Sequence, residues 1–327
     1  MKDKKYTVGL GPFGSCADRF CPGGYRANPS IEERFEMVKR VKGIDGLELH
    51  SHMFDDKRPV EYYEKILKGN GWICSLVSCN VWGAAKWGQG GFTHPDAALR
   101  REAVAECKRT MDYADRLGGG KINLWLGQDG HDYAFQTDYR QTWNWLVEGV
   151  AECAAHNPKV KICLEPKLKE PRVRIAVGTA GKALYLKKCV GMDNVGVNLD
   201  VGHCIQAFET PAETAVLLAR ENALFHLHFN DNYGDWDWDL TTGSVFFWEL
   251  LELCFWLEEL EWDNICSFDI FPSKEDPVDM VQANVDNLKG AWKLVAKLPR
   301  EELLEAMKTR QFRFSNRILR EVVYGGD

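Results

Sequence analysis

The chain has 327 residues, and nothing in it approaches the roughly 20 consecutive apolar residues that a membrane-spanning helix needs, so a membrane protein is not expected. It has no surplus of basic charge either. Lys and Arg number 41 against 48 Asp and Glu, giving a formal net charge of −7 and a pI near 5.7. That balance argues against nucleic acid or an anionic membrane as the main partner. The start, Met1 to Tyr6, runs into a very short apolar piece without the core of a signal peptide, which makes cytoplasmic residence the expectation. No C-x-x-C pair organises the 11 cysteines, an odd number, and Cys74, Cys79, Cys107, Cys163, Cys254 and Cys266 fall inside expected strands or helices. They read as buried thiols rather than a disulfide framework. No Gly-x-Ser-x-Gly and no Cys/His pairing offers a nucleophile. Internal repeats, low-complexity tracts and interdomain linkers are missing as well, which leaves one globular unit.

What is present is a repeated pattern of hydrophobic runs that end in metal-type ligands. Leu164-Glu165-Pro166-Lys167, Leu199-Asp200-Val201-Gly202-His203, His226-Leu227-His228-Phe229 and Phe268-Asp269 each close a short buried run. Carboxylates and imidazoles are costly at such ends unless paired or bound to a cation. Strand patterns recur near Thr7–Leu10, Gly46–His50, Ile73–Cys79, Lys121–Leu126, Lys161–Glu165, Val195–Asp200, Leu224–His228 and Ile265–Ile270, with helical patterns between them. The first helix opens on a capping-box pattern, Ser30-Ile31-Glu32-Glu33. An eight-fold alternation of this length predicts an α/β fold, a closed (β/α)8 TIM barrel over residues 1–298, with ligands gathered at the C-terminal mouth. Residues 299–327 form a C-terminal helical extension with a basic-aromatic end. It is read either as a helix packing back on its own barrel or as an arm that embraces a second subunit.

Residues two apart in a strand share a face. Glu165 therefore sits with Cys163, Asp200 with Asn198, His228 with His226 and Asp269 with Ser267, all toward the barrel interior. Three carboxylates and an imidazole suit Mn2+ first, then Mg2+ or Co2+, better than a thiolate zinc site. The run Asp235-Trp236-Asp237-Trp238-Asp239-Leu240 follows the seventh strand. Solvated loop acids are one reading of it. A second cation held by Asp237 and Asp239 with His203 across the site is the other, because these acids and Asp200 otherwise repel. Tryptophans beside clustered acids, such as Trp82, Trp125 and Trp236, also suit the apolar walls of a sugar cleft.

These residues, in this order, resemble xylose isomerase. Leu164-Glu165-Pro166-Lys167…Glu170-Pro171-Arg172 is similar to its metal-glutamate and lysine motif, and Leu124-Trp125-Leu126-Gly127-Gln128-Asp129-Gly130 to its W-G-G-R-E-G strand end. Gly90-Gly91-Phe92-Thr93, Val201-Gly202-His203, Trp236-Asp237-Trp238-Asp239-Leu240 and Phe268-Asp269 follow in the family's sequence. The resemblance implies that Glu165, Asp200, His228 and Asp269 hold a structural metal, while Asp200, His203, Asp237 and Asp239 hold a catalytic one. It also implies that Lys167 polarises the substrate carbonyl, that His50 takes part in ring opening, and that Trp125 forms the hydrophobic wall, with Trp125, His203 and Lys167 contacting substrate. The activity implied is a metal-dependent aldose–ketose isomerisation by hydride shift on a small carbohydrate, with one or two divalent cations per chain, in a homo-oligomer (dimer or tetramer). The ligand set Glu, Asp, His, Asp departs from xylose isomerase toward L-rhamnose isomerase and overlaps the tagatose 3-epimerases. Two rivals thus stay open: a one-metal ketose 3-epimerase, and the alpha subunit of a metal-dependent carbon-glycoside deglycosidase with a small partner subunit.

Overall fold

A computed structural model describes residues 4–170, 173–262 and 265–325. Pro171 and Arg172 of the lysine motif lie outside the described residues. Eight parallel strands close a barrel: β1 Tyr6–Gly9, β2 Gly46–His50, β3 Ile73–Ser78, β4 Lys121–Trp125, β5 Lys161–Glu165, β6 Val195–Asp200, β7 Leu224–Phe229 and β8 Cys266–Phe268. Each strand pairs with the next, and β1 closes on β8 through Tyr6 opposite Cys266 and Val8 opposite Phe268. The outer helices lie where the 3.6-residue periodicity puts them. They include α1 Ile31–Arg40, α2 Val60–Asn70, α3 Ala97–Arg116, α4 Tyr139–His156 and α5 Ala180–Val190. Ser30 and Glu33 cap α1 reciprocally, as the sequence pattern predicts. The core is the shell between strands and helices, where Ile122, Leu124, Cys107 and Met111 all pack fully or almost fully buried.

Inside the barrel the packing is mixed. Thr7, Ser75 and Ser267 link hydroxyl to hydroxyl at 2.8 and 2.9 Å. One residue is added to β3 at Ser75 and one to β7 at Phe225, where the pairing registers shift. With that extra residue the Phe225 ring packs with Leu76 and Cys163 in a small apolar cluster separate from the main core. It lies over Gly196, where a Cβ would come within 2.3 Å of the ring.

The first strand leads into Gly9-Leu10-Gly11-Pro12-Phe13-Gly14, the glycine spacing of a dinucleotide loop. No helix begins there. The next helix starts at Ile31, so these glycines form a wide loop whose Gly9, Gly11 and Pro12 line the barrel mouth. Three elements escape the sequence patterns. A small antiparallel sheet joins 130–131, 173–175 and 169–170 beside the mouth. A short helix, α6 Val201–Gln206, follows β6 directly. After α7 Pro211–Arg220, α8 Phe247–Glu259 and α9 Pro277–Val295, the extension divides into α10 Arg300–Lys308 and α11 Phe312–Tyr324. It packs back on the barrel through buried Leu303, Ala306 and Ile318, and Tyr324 meets Trp248 of α8 edge to face.

Candidate metal centre

Glu165 and Asp200 end β5 and β6, His228 is the penultimate residue of β7, and Asp269 follows β8 immediately. Parallel strands end together at one rim, so the four side chains converge. Their ligand atoms all lie within 4.8 Å of one another. His228 Nδ1 stands 2.9 Å from Glu165 Oε1, 3.5 Å from Asp269 Oδ2 and 3.7 Å from Asp200 Oδ2. Glu165, Asp200 and His228 are buried, while Asp269 opens onto a cavity of about 230 Å³ at the mouth. One nitrogen faces three carboxylates here, which leaves excess negative charge in a poorly solvated spot. His203 Nδ1, buried without a hydrogen-bond partner, adds a further donor 3.8 Å from Glu165 and 3.9 Å from Asp200. This donor set fits a divalent cation of oxygen and imidazole preference.

The titration of the cluster reflects the same crowding. Burial raises Glu165, but the charge and hydrogen bond of His228 outweigh it and bring the carboxyl down to about 2. Asp269 is raised to about 7 by desolvation inside the cavity mouth, although half of its side chain is exposed there, and by Glu165 and Asp200. Burial and then Asp237 and Asp269 raise Asp239 well above the usual carboxylate range. Burial works against a charge on His203, yet Asp200 and Asp237 lift it to about 9.

Several residues that sequence patterns did not single out hold these ligands. Glu48, two positions before His50 and therefore on the same inner face of β2, accepts from His228 Nε2 at 3.1 Å. Asn123 donates to Glu165, and Asn198 Nδ2 lies 3.1 Å from His228 Nδ1. Asn230 Nδ2 donates to both Asp200 oxygens, at 3.2 and 3.1 Å, while its Oδ1 accepts from Gly202 N at 2.7 Å. Gly202 has no room for a side chain, since a Cβ would stand 2.5 Å from that Oδ1. Asp200 in turn caps α6 by accepting from His203 N at 2.9 Å. The signal for Glu48 was the inward alternation of Glu48 and His50. For Asn198 it was the alternation that puts it on the inner face with Asp200, while the partners of Asn123 and Asn230 gave none, because they depend on which strands become neighbours.

The second group is arranged differently. Asp237 Oδ2 pairs with Lys167 Nζ at 2.6 Å and with His203 Nε2 at 3.2 Å. Against burial, Lys167 and His203 hold Asp237 well below the usual carboxylate range. Asp239 reaches this wall in a left-handed conformation, φ +47°, which aspartate tolerates better than most residues. Among the described residues, the four groups Asp200, His203, Asp237 and Asp239 do not converge as the first four do.

The cavity walls hold the remaining expected residues. Lys167 Nζ sits over the Trp125 ring at 4.9 Å, and Trp82 meets Trp125 edge to face at 4.7 Å. His50 lines the same cavity with Nδ1 buried and without a hydrogen-bond partner, and burial followed by His52 lowers it to about 4. Asp129 is elsewhere. It accepts from Gly91 N and Thr93 and thereby ties the loop after β3 to the loop after β4.

The model of a family described as the xylose isomerase-like TIM barrel matches residues 35–291. The chain is 28% identical over 207 residues to the xylose isomerase of Thermus thermophilus. That match takes in 62% of this chain and spans about half, 52%, of the length of that relative. Among solved structures, a D-tagatose 3-epimerase-like protein is similar with a TM-score of 0.68 at 18% identity, covering 89% of this chain and 99% of that one. An L-ribulose 3-epimerase gives 0.68 at 16%, over 90% and 96%. The 3-keto-D-glucoside 4-epimerase of E. coli gives 0.64 at 15%, over 89% and 100%. At these identities the structural likenesses concern the fold.

Proposed function

Because this chain belongs to the xylose isomerase-like TIM barrel family, we propose that it is a sugar isomerase, interconverting an aldose and a ketose at a divalent-cation site. The observation that carries this reading is the convergence of Glu165, Asp200, His228 and Asp269 within 4.8 Å beside a cavity of about 230 Å³. Those four residues would hold the cation, with Mn2+ the best match and Mg2+ or Co2+ next. Bound there, a divalent cation supplies Lewis acidity toward neighbouring sugar oxygens and a template for their orientation.

The chain's own groups account for the rest. Lys167, held by Asp237 and laid over Trp125, donates to the carbonyl oxygen on which negative charge develops. Trp125 and Trp82 form the wall against the apolar face of the sugar and keep water from the reacting carbons. His50 lines the cavity and is neutral at pH 7, so its imidazole can accept the ring-opening proton from the anomeric hydroxyl. His203 completes the polar side of the cleft. In the isomerisation, hydrogen leaves one carbon with its electron pair and arrives at the neighbouring carbonyl carbon, while a proton passes between the two oxygens.

One observation favours a second reading, a one-cation ketose 3-epimerase. Asp237 is committed to Lys167 and His203 rather than to a second cation. The test is NMR of a panel of free aldoses and ketoses incubated in D2O with Mn2+, Mg2+ or Co2+. Aldose–ketose interconversion with little deuterium uptake supports the isomerase, and an epimer deuterated at carbon 3 replaces it with the epimerase. No turnover of any free sugar refutes both and points to a glycoside substrate with a partner subunit.

A further inference from the structure

Below the cation ligands the barrel interior holds a line of charged and polar groups that the reaction above does not use. Lys121 is the first residue of β4, at the end of the barrel away from the mouth, and its Nζ lies 3.3 Å from His226 Nδ1. His226 Nε2 lies 2.7 Å from Glu48 Oε1. The other oxygen of the same carboxylate, Oε2, lies 3.1 Å from His228 Nε2. All four residues are buried, His226 completely, so these contacts do not trade against bulk water.

Donor and acceptor chemistry leaves one assignment of the ring hydrogens. An ammonium group only donates, so His226 Nδ1 must accept and the His226 ring hydrogen sits on Nε2. A carboxylate only accepts, so Glu48 takes that hydrogen on Oε1 and a second one from His228 Nε2 on Oε2. His228 Nδ1 faces Glu165, Asp200 and Asp269; in the metal-free protein its hydrogen goes to Glu165 at 2.9 Å, and a bound cation would take that hydrogen's place while Glu48 keeps the one on Nε2. Glu48, His226 and His228 also have the spacing of a cation site of their own. The Lys121 ammonium on the far nitrogen of His226 weighs against a second positive ion there and supplies the charge that offsets buried Glu48.

We propose that Lys121, His226 and Glu48 are positioning residues, a hydrogen-bonded relay that holds His228 in the one tautomer able to ligate a cation through Nδ1. The inference rests on the metal-centre reading for its consequence, while the hydrogen-bond order of the relay stands without it. A ligating imidazole whose second nitrogen is fixed by a carboxylate is oriented and made more basic. Here the fixing group is itself oriented, from deep inside the barrel.

The test combines histidine 15N NMR with Mn2+ titration calorimetry on the full chain, with Zn2+ as the diamagnetic probe for the spectra. Wild type is expected to show His226 bare at Nδ1 and protonated at Nε2, with and without metal. Glu48→Gln should weaken Mn2+ binding by about 10–100-fold with the fold intact, and should mix the His228 tautomers. Lys121→Met should leave the His226 hydrogen on Nε2, where Glu48 holds it, and shift the Nδ1 15N signal as that nitrogen loses its hydrogen bond, with a smaller loss of affinity. Should Glu48→Gln not fold, Lys121→Met carries the same test through His226. Two variants that bind Mn2+ as tightly as wild type, with unchanged His226 and His228 signals, would overturn the relay. A second Mn2+ equivalent that disappears in Glu48→Gln would replace it with a cation site. If wild type takes no Mn2+, the metal-centre reading fails instead, and a His226 hydrogen on Nδ1 in the metal-free protein then rules out the relay independently.

Discussion

Glu165 and Asp269 are alike in charge and opposite in setting. Glu165 is buried against His228 and held at about 2, whereas Asp269 opens to the cavity and is pushed up to about 7. Either loss, Glu165→Gln or Asp269→Asn, removes an anionic ligand, and metal content after dialysis should fall to background in both. Full metal content in both variants would remove the four-ligand site. Lys167 works differently, through the oxygen it donates to. Lys167→Met should keep the metal and lower kcat by about 10²–10³-fold, the usual loss when a donor to a developing oxyanion is removed. Full turnover in that variant would confine the lysine to pairing with Asp237.

At the scale of elements, the site depends on how strand ends are joined to the turns after them. The β6–α6 junction is the clearest case. Asp200 ends the strand and caps the helix, and Asn230 on the neighbouring strand end holds both Asp200 and Gly202. Gly202→Ala forces a methyl against Asn230 Oδ1, so it should destabilise the fold by about 1–3 kcal/mol and weaken Mn2+ binding through misplaced Asp200. Denaturant unfolding and calorimetry read the two effects separately, and a variant normal in both would show that the junction can relax. The loop after β7 carries a different liability. Asp237→Asn removes the carboxylate shared by Lys167 Nζ and His203 Nε2, so it should lower stability, read as a fall in Tm. A second bound cation, if wild type holds one, should be lost from the Asp237→Asn, Asp239→Asn double variant.

For the whole molecule, the clustered groups link stability to pH and to metal. His203 is raised to about 9 from its ordinary 6.5, so its contribution is full below pH 6.5 and lost as pH rises through 9. Asp269, raised to about 7 from 3.8, acts in the same direction, with its contribution lost as pH rises through 7. Glu165 is lowered to about 2 from 4.5, so its contribution is full above pH 4.5 and lost as pH falls through 2. Summed over these three groups, the contribution peaks at about pH 4, where the gain from Glu165 ends and the loss from Asp269 begins, so metal-free protein should lose Tm steadily from there toward pH 9. Cation ligands must be deprotonated, so Mn2+ should raise Tm more at pH 8 than at pH 6. An equal rise at both values would contradict the proton-coupled site. The same contrast between local and assembled charge governs what could be read in advance. Hydrophobic runs ending in Glu165, Asp200, His228 and Asp269 are local patterns, as are the helical periods and the Ser30 cap. The small sheet at 130–131, 169–170 and 173–175 is not, since its strands are two or three residues long and leave no period to detect.

The eight-fold alternation, the barrel, and the set of acids and imidazoles at its strand ends are written in local patterns, because alternation of side chains and runs of apolar residues are properties of adjacent positions. The closed fold settled who partners whom. It set Asp237 against Lys167, put Glu48 between two histidines 178 and 180 positions away, and placed Asn230 beside Asp200. Those pairings arise when strands distant in the chain become neighbours around a closed sheet, and the burial that follows is what makes each unpaired charge too costly to leave alone.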